Sequence, residues 1–270
     1  MKLRSPLFGR TGDTSPSPTP RSRVDGGKRL LEPEPASLRG RHFYLTHVWL
    51  PFLAFAVLVV LLMVLGGDQW VADHVYAWQG HAWTLRRGFI TDRLIHQAGR
   101  NLSFAAWLGV AVTWLAIRKR PGWSAWRRPL AYLLLCVAAT AALVAWVKSF
   151  SNMDCPWDLI RYGGAREYVR LLELRPIGLT RGTCFPAGGA SGGYAWVALY
   201  FFFAAVRPRL RWAGLVVGLA AGLAFGIAQQ LRGAHFLSHD VWTLAISWSV
   251  ALALYLAFLD RDPAGTGTDW

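Results

Sequence analysis

The chain has 270 residues, of which 54% are hydrophobic and 16% are charged. Soluble domains average about 45–50% apolar and about 25% charged residues, so this composition excludes an ordinary soluble enzyme, a disordered chain and a small disulfide-stabilised domain. The net charge of +14 does not indicate nucleic acid as a partner, because the lysines and arginines lie between apolar segments, as in the loops of a membrane protein.

Residues 1–42 are rich in Pro, Ser, Arg and Gly without periodicity, and are predicted to form a disordered, basic tail. Six apolar segments follow, and each is expected to cross the bilayer as a helix, because lipid offers no partner to an unpaired backbone group. They span about 48–66, 102–117, 129–147, 192–206, 213–231 and 241–259. The predicted fold is an all-α membrane domain over 43–260, followed by a short tail over 261–270.

Two segments carry further local signals. Residues 68–100 contain Trp70, Trp78 and Trp83 and are predicted to form a loop with an interfacial helix, since indole rings favour the headgroup level. The fifth apolar segment carries a glycine at every fourth position, which favours close packing between helices. These glycines are Gly214, Gly218, Gly222 and Gly226.

Loop charges predict the orientation of the chain. With the N-terminus in the cytoplasm, most of the 29 lysines and arginines fall on the cytoplasmic side. The positive-inside rule therefore predicts that both termini are cytoplasmic, and an even number of spans agrees with this.

Three polar segments lie at the same end of the predicted helices. Lys148 ends the third apolar segment, the glycine-rich segment 186–193 opens the fourth, and residues 228–240 join the last two. Counting the turns of the chain places all three on one membrane face, which the charge distribution makes the outside. Ionisable residues at membrane depth are candidates for function.

These segments have the chemistry to bind and transfer a phosphate. Lysine and arginine donate charge-assisted hydrogen bonds to phosphate oxygens, and glycines at the start of a helix expose backbone N–H groups. A histidine whose tautomer is fixed by a partner can attack phosphorus or move a proton. The candidate site residues are Lys148, Gly188, Gly189, Arg232, His235, His239 and Asp240.

Each segment also has a structural explanation when it is taken alone. Lys148 is then better explained as a cation that extends from a helix end towards the headgroups. The glycines are explained equally well as a helix-initiating turn with small packing residues. Arg232 is explained as a charge that faces anionic lipids, and the histidines as polar residues that cap the last helix. The occurrence of all three segments on one face favours the phosphate site.

The three segments resemble the signatures of the type 2 phosphatidic acid phosphatase superfamily, membrane phosphatases related to vanadium haloperoxidases. Those signatures read K-x6-RP, PSGH and SR-x5-H-x3-D, and the matching segments here are KSFSNMDCP (148–156), PAGG (186–189) and AQQLRGAHFLSH (228–239). The resemblance implies a membrane lipid phosphate as substrate, no cofactor and no metal. The segment GAHFLSH also resembles a bacterial branch with lipid A and undecaprenyl-pyrophosphate phosphatases and phosphotransferases, which implies the bacterial inner membrane.

The resemblance assigns roles to individual residues. Lys148 matches the phosphate-binding lysine, and His235 matches the nucleophile that forms a phosphohistidine. Gly189 stands at the position of the general-acid histidine, whose loss predicts a rate lower by about 10²–10⁴-fold. The aspartate that orients the nucleophile falls on His239, with Asp240 one residue later as the alternative. His239 is also a candidate for the missing acid.

Both signature arginines are absent. They fall on Cys155 and Gln229, and we expect Arg161 and Arg232 to supply the missing charges. Cys155 and Cys184 flank the long loop next to the first two signatures. In an oxidising periplasm these cysteines are expected to form a disulfide, with two free thiols as the alternative.

Two functions remain open at this point. One is a phosphatase or phosphotransferase that takes a lipid phosphate from the outer leaflet and forms a phosphohistidine, as the resemblance implies. The other is a catalytically impaired relative that binds phospholipid or undecaprenyl phosphate without turnover. Lys148 and His235 favour the enzyme, whereas Gly189 and the missing arginines favour the impaired relative. A transporter is disfavoured because no charge pair lies in mid-span, and the sequence indicates no oligomeric state.

Overall fold

A computed structural model describes residues 40–171 and 173–260 of the chain. Apart from one isolated β-bridge, the regular secondary structure in these ranges is helical, and six helices are long and apolar enough to cross a membrane. The predicted all-α class with six spans is therefore confirmed. The tail predicted at 261–270 lies outside the described residues, as does the tail predicted at 1–42 except for its last three residues.

The six membrane-length helices and a shorter helix, α2, follow one another along the chain. Their bounds are α1 (Arg41–Val64), α2 (Gly67–Trp78), α3 (Phe89–Ile117), α4 (Pro121–Lys148), α5 (Gly188–Val206), α6 (Pro208–Leu231) and α7 (Leu237–Phe258). All six membrane-length helices start earlier than the apolar segments predict, and three of these differences bear on the site. Helix α3 begins at Phe89 rather than near residue 102, α5 at Gly188 rather than 192, and α7 at Leu237 rather than 241.

Helices α4, α5 and α7 form the centre of the bundle. Tyr132 and Cys136 of α4 pack in one buried cluster with Phe201 of α5 and Tyr255 of α7. The hydroxyl of Tyr132 donates a hydrogen bond of 3.0 Å to the backbone carbonyl of Ala251, so the only polar atom of this buried ring is paired. In α5 and α7 these residues lie nearer the ends opposite to the polar segments, and in lipid such close packing holds the helices together.

The glycines of α6 allow it to lie directly against α5 and α7. A Cβ atom on Gly218 would collide with the backbone of Val197, and one on Gly226 would collide with the carboxyl group of Asp240. These contacts confirm the predicted role of the glycines in helix packing. The glycines thereby bring α6 close to the start of α7, where the third polar segment lies.

Helices α1 and α3 present large apolar side chains outward. Phe52 and Leu53 of α1 are 61% and 59% exposed, and Leu102 of α3 is 72% exposed. Such continuous apolar surface is typical of helices that face lipid.

Helix α2 holds the two helix ends between which the third polar segment runs. The side-chain amide of Gln79, just after α2, donates to the carbonyl of Leu231 at 2.8 Å. Asp68 at the other end of α2 accepts the backbone N–H of Ser238 at 2.9 Å and the Ser238 hydroxyl at 2.5 Å. These bonds satisfy groups at a helix end that have no partner within the helix.

The long segment between α4 and α5 folds back on itself. Cys155 and Cys184 form a disulfide with a Cα–Cα distance of 5.3 Å. The buried carboxylate of Asp154 next to it pairs with Arg166 at 2.5 Å and with Arg175 at 2.7 Å. The segment that follows Lys148 is therefore held beside the segment that opens α5.

Candidate active site

The structure brings the ends of α4 and α5 together. Lys148 is the last residue of α4 and Gly188 is the first residue of α5. A Cβ atom placed on Gly188 would lie 3.7 Å from the Lys148 ammonium nitrogen. The Ser151 hydroxyl also donates to the carbonyl of Phe185, which ties the two segments together directly. An ammonium group thus lies over the glycine turn, as an anion site requires.

The start of α7 contributes two histidines to the same region. Nδ1 of His235 lies 3.3 Å from Nδ1 of His239, one helical turn later. His239 is fully buried between the rings of Phe185 and Phe236, and its Nε2 has no hydrogen-bond partner among the described residues. His239 is therefore placed to orient His235, and its burial separates its own Nε2 from a leaving group.

The surroundings of His235 favour a neutral imidazole. Burial lowers the pKa of His235 well below its ordinary value, electrostatic interactions with His239, Lys148 and His96 lower it further, and the Cys184 backbone raises it. A neutral ring retains a lone pair on one nitrogen, which a nucleophile needs.

A histidine that the sequence analysis did not select lies beside Gly189. A Cβ atom placed on Gly189 would come within 3.2 Å of both Cε1 and Nδ1 of His96, and within 3.4 Å of the Gln229 amide nitrogen. His96 lies in the first turns of α3, within residues 68–100, which the sequence predicts to form a loop; this prediction is wrong from Phe89 onwards. The space next to Gly189 is therefore occupied by an imidazole from another helix.

Arg232 is connected to His96 through Gln229. The Arg232 guanidinium donates to the Gln229 amide oxygen at 3.1 Å, and the Gln229 amide nitrogen lies 2.6 Å from His96 Nδ1. The same guanidinium pairs with Asp92 at 2.8 Å and donates to the carbonyl of Arg86 at 2.8 Å. The prediction that Arg232 binds the phosphate is therefore not supported, because three protein acceptors already surround its guanidinium group.

Asp240 does not face His235. Its Oδ2 accepts a hydrogen bond of 2.6 Å from the Gln230 amide, and its Oδ1 is buried without a partner among the described residues. The carboxyl group lies against Gly226 of α6. No contact therefore supports the alternative in which Asp240 orients His235. Helix α7 directs His239 towards His235 and Asp240 towards α6.

Arg161 is paired at the surface. Its Nε and one terminal nitrogen donate to the two carboxylate oxygens of Asp73 at 2.7 and 2.5 Å, and both side chains are more than one third exposed. Arg161 lowers the pKa of Asp73 below its ordinary value through these hydrogen bonds. The expected role of Arg161 as a substitute for the first missing arginine is not supported, because its guanidinium group already binds the carboxylate of Asp73.

The second polar segment is also joined to α7. The backbone N–H of Ala187 donates to the carbonyl of His239 at 3.3 Å, and the Thr243 hydroxyl lies 3.3 Å from the Ala187 carbonyl. The second polar segment therefore contacts both the first and the third at one end of the bundle.

The comparison with known families covers this whole region. The model of the PAP2 superfamily matches residues 129–263, which is half of the chain and includes all three polar segments. The chain belongs to the PAP2 superfamily. No curated protein and no solved structure matches it. Membership of the PAP2 superfamily indicates a multi-pass membrane phosphatase that acts on lipid phosphates.

The chain departs from the signatures of the PAP2 superfamily at Gly189 and Gln229, and the structure shows which residues lie beside them. Gly189 faces His96, and Gln229 links His96 to Arg232. One sequence signal could have indicated His96. Asp92, His96 and Arg100 are spaced four residues apart, so a helix that began before residue 92 would carry them on one face.

Proposed function

We propose that the chain is a lipid phosphatase or phosphotransferase that acts through a phosphohistidine on His235. The observation that carries this proposal is the contact of 3.3 Å between the Nδ1 atoms of His235 and His239. One of two facing nitrogens must carry the proton that joins them. If His235 carries it, its other nitrogen, Nε2, has the lone pair that attacks phosphorus.

Lys148 is proposed to hold the phosphate. Its ammonium group lies near Gly188 and acts electrostatically on His235, so a phosphate between them would have its negative charge compensated. The lone pair of Nε2 forms the N–P bond, and the bond from phosphorus to the lipid oxygen breaks with its electron pair on that oxygen. Water, or an acceptor lipid in a phosphotransferase, then attacks phosphorus and returns the electron pair of the N–P bond to Nε2.

The active face is proposed to be the outer face of the bacterial inner membrane. The charge distribution along the loops supports this orientation. The disulfide between Cys155 and Cys184 supports it independently, because disulfides persist in the periplasm and are rare in the cytosol. Both features support a position of Lys148 and His235 at the outer leaflet, within reach of anionic lipids.

One observation favours the second candidate, a relative that binds lipid phosphate without turnover. The guanidinium groups expected at the phosphate are bound to Asp92 and Asp73 instead. The phosphate would then be held by fewer cations than the signatures provide, which lowers the stabilisation of a phosphoryl transition state.

The two candidates are separated by phosphate release from ³²P-labelled undecaprenyl diphosphate. For the enzyme, we expect the purified protein in detergent to release phosphate and His235→Ala to abolish release. The matched control is His74→Ala, which removes an exposed histidine of α2. Binding of the labelled lipid without release by the wild-type protein would contradict the enzyme and support the binding protein.

A further inference from the structure

The imidazole beside Gly189 has a place in the reaction. We propose that His96 donates a hydrogen bond from Nε2 to the oxygen that leaves phosphorus, and that this favours a lipid diphosphate over a lipid monophosphate as substrate. The inference rests on the proposed function, because it assumes attack by His235.

The position of His96 is the first argument. In the signature, the second histidine extends from residue 189 towards the leaving oxygen, whereas here residue 189 has no side chain. The space that a Cβ atom at this position would enter is bounded by Cε1 and Nδ1 of His96, each at 3.2 Å. His96 also lies near enough to His235 for the two rings to interact electrostatically. An imidazole is therefore present at the same location, supplied by α3 rather than by α5.

The hydrogen-bond chain from Arg232 decides which nitrogen of His96 carries the proton. An arginine only donates, so the amide oxygen of Gln229 must face Arg232, as it does at 3.1 Å. The amide nitrogen of Gln229 then donates to His96 Nδ1 at 2.6 Å. Nδ1 is therefore an acceptor, and the ring is neutral with its proton on Nε2. No described residue accepts a hydrogen bond from that Nε2–H group.

A neutral imidazole stabilises a leaving oxygen by a hydrogen bond and transfers no full proton. When Nε2 of His235 forms the N–P bond to a diphosphate, the bridging P–O bond breaks and its electron pair stays on the oxygen of the departing lipid monophosphate. That phosphate oxygen is a weak base and needs no proton. An alkoxide leaving from a lipid monophosphate is a strong base, so a donor without proton transfer assists it poorly.

The test compares phosphate release from undecaprenyl diphosphate and undecaprenyl monophosphate by four proteins. They are the wild type, His96→Ala, Gly189→His and the double variant His96→Ala/Gly189→His. We expect the wild type to prefer the diphosphate and His96→Ala to lose about 10²–10³-fold in its turnover, the usual effect of removing one such donor. Gly189→His alone should not gain activity, because its ring would collide with His96.

The double variant distinguishes a chemical role of the His96 imidazole from a structural role of the residue. It returns an imidazole to the vacated space from α5, so it should recover most of the diphosphate turnover that His96→Ala loses. His74→Ala serves as the control for loss of a histidine elsewhere. His235→Ala tests the chemistry on which the inference depends.

The outcomes separate the inference from the proposed function. Unchanged diphosphate turnover in His96→Ala, or a double variant no faster than His96→Ala, would overturn the role of His96 while release still depended on His235. Equal turnover of the two substrates by the wild type would overturn the preference for a diphosphate. Full activity of His235→Ala would overturn the proposed function and this inference with it.

Discussion

At the scale of single residues, His239 lies where the family signature has the carboxylate that orients the proposed nucleophile, His235. Nδ1 of a histidine and Oδ1 of an asparagine or aspartate are both two bonds from Cβ, so each can accept a hydrogen bond at the same place. In the proposed tautomer, His239 accepts the Nδ1–H group of His235. A neutral acceptor stabilises a positively charged phosphohistidine less than a carboxylate would, because no opposite charge lies beside the ring.

This arrangement predicts different effects for two substitutions of His239. His239→Asn keeps an acceptor for His235 and should retain most phosphohistidine formation. His239→Ala leaves a buried donor unpaired, at a cost of about 1–3 kcal/mol. That cost corresponds to formation slower by roughly 5- to 150-fold. Acid-quenched labelling with ³²P-lipid measures the rates, and equal rates for the two variants would contradict the proposed hydrogen bond.

At the scale of elements, α2 sets the position of α7 through one carboxyl group. Burial raises the pKa of Asp68 above its ordinary value, and its hydrogen bonds with Ser238 lower it by less. A folded chain with a raised carboxyl pKa binds the proton more tightly than the unfolded chain does. The stabilisation from Asp68 is therefore largest at acidic pH, and it declines as the pH rises through the raised pKa.

Asp68→Asn tests this prediction. The asparagine oxygen can accept the Ser238 N–H group and its amide can donate to the Ser238 hydroxyl, so the fold should persist. Because asparagine does not titrate, the apparent melting temperature in detergent should fall less from acidic to neutral pH than in the wild type.

A second substitution at this position tests the hydrogen bonds themselves. Asp68→Ala leaves the Ser238 donors without an acceptor and should lose about 1–3 kcal/mol of stability. Identical pH dependence in wild type and Asp68→Asn would show that another group titrates in this range.

The starts of three helices show what hydropathy alone could predict. Apolar composition located all six spans, because each needs about 20 residues in lipid. It places all six starts too late, and in α3, α5 and α7 the first turns contain glycines or polar side chains. Asp92 in α3 is paired with Arg232, and Asp240 in α7 with Gln230. These partners lie at the end of another helix, α6, and Arg232 is 140 residues from Asp92, so the first turns appear too polar for a membrane helix until the fold is known.

The same reason limits prediction of the site. The sequence selects Lys148 and His235 as candidates because signature spacing is local in the sequence. His96 was missed because it lies 133 residues from its partner Gln229 and belongs to no signature. The sequence does not predict the ion pair of Arg161 with Asp73 for the same reason, since 88 residues separate the two.

At the scale of the whole molecule, the proposed orientation predicts which loops face the periplasm. Ile177, in the segment between α4 and α5, is fully exposed, and Gly122 at the start of α4 is exposed with no atom within 4 Å of an added Cβ. These two positions lie at opposite ends of α4. The native cysteines contribute little background, because Cys155 and Cys184 are joined and Cys136 is buried.

Single substitutions at these positions test the orientation. In intact spheroplasts, Ile177→Cys should react with a membrane-impermeant maleimide, whereas Gly122→Cys should react only after the membrane is permeabilised. Phosphate release by both variants serves as the control for a native fold, since neither residue contacts the site. The reverse labelling pattern would place Lys148 and His235 at the cytoplasmic face, where the lipid phosphate would have to come from the inner leaflet. It would also leave the disulfide in a reducing compartment, so the two arguments for orientation would fail together.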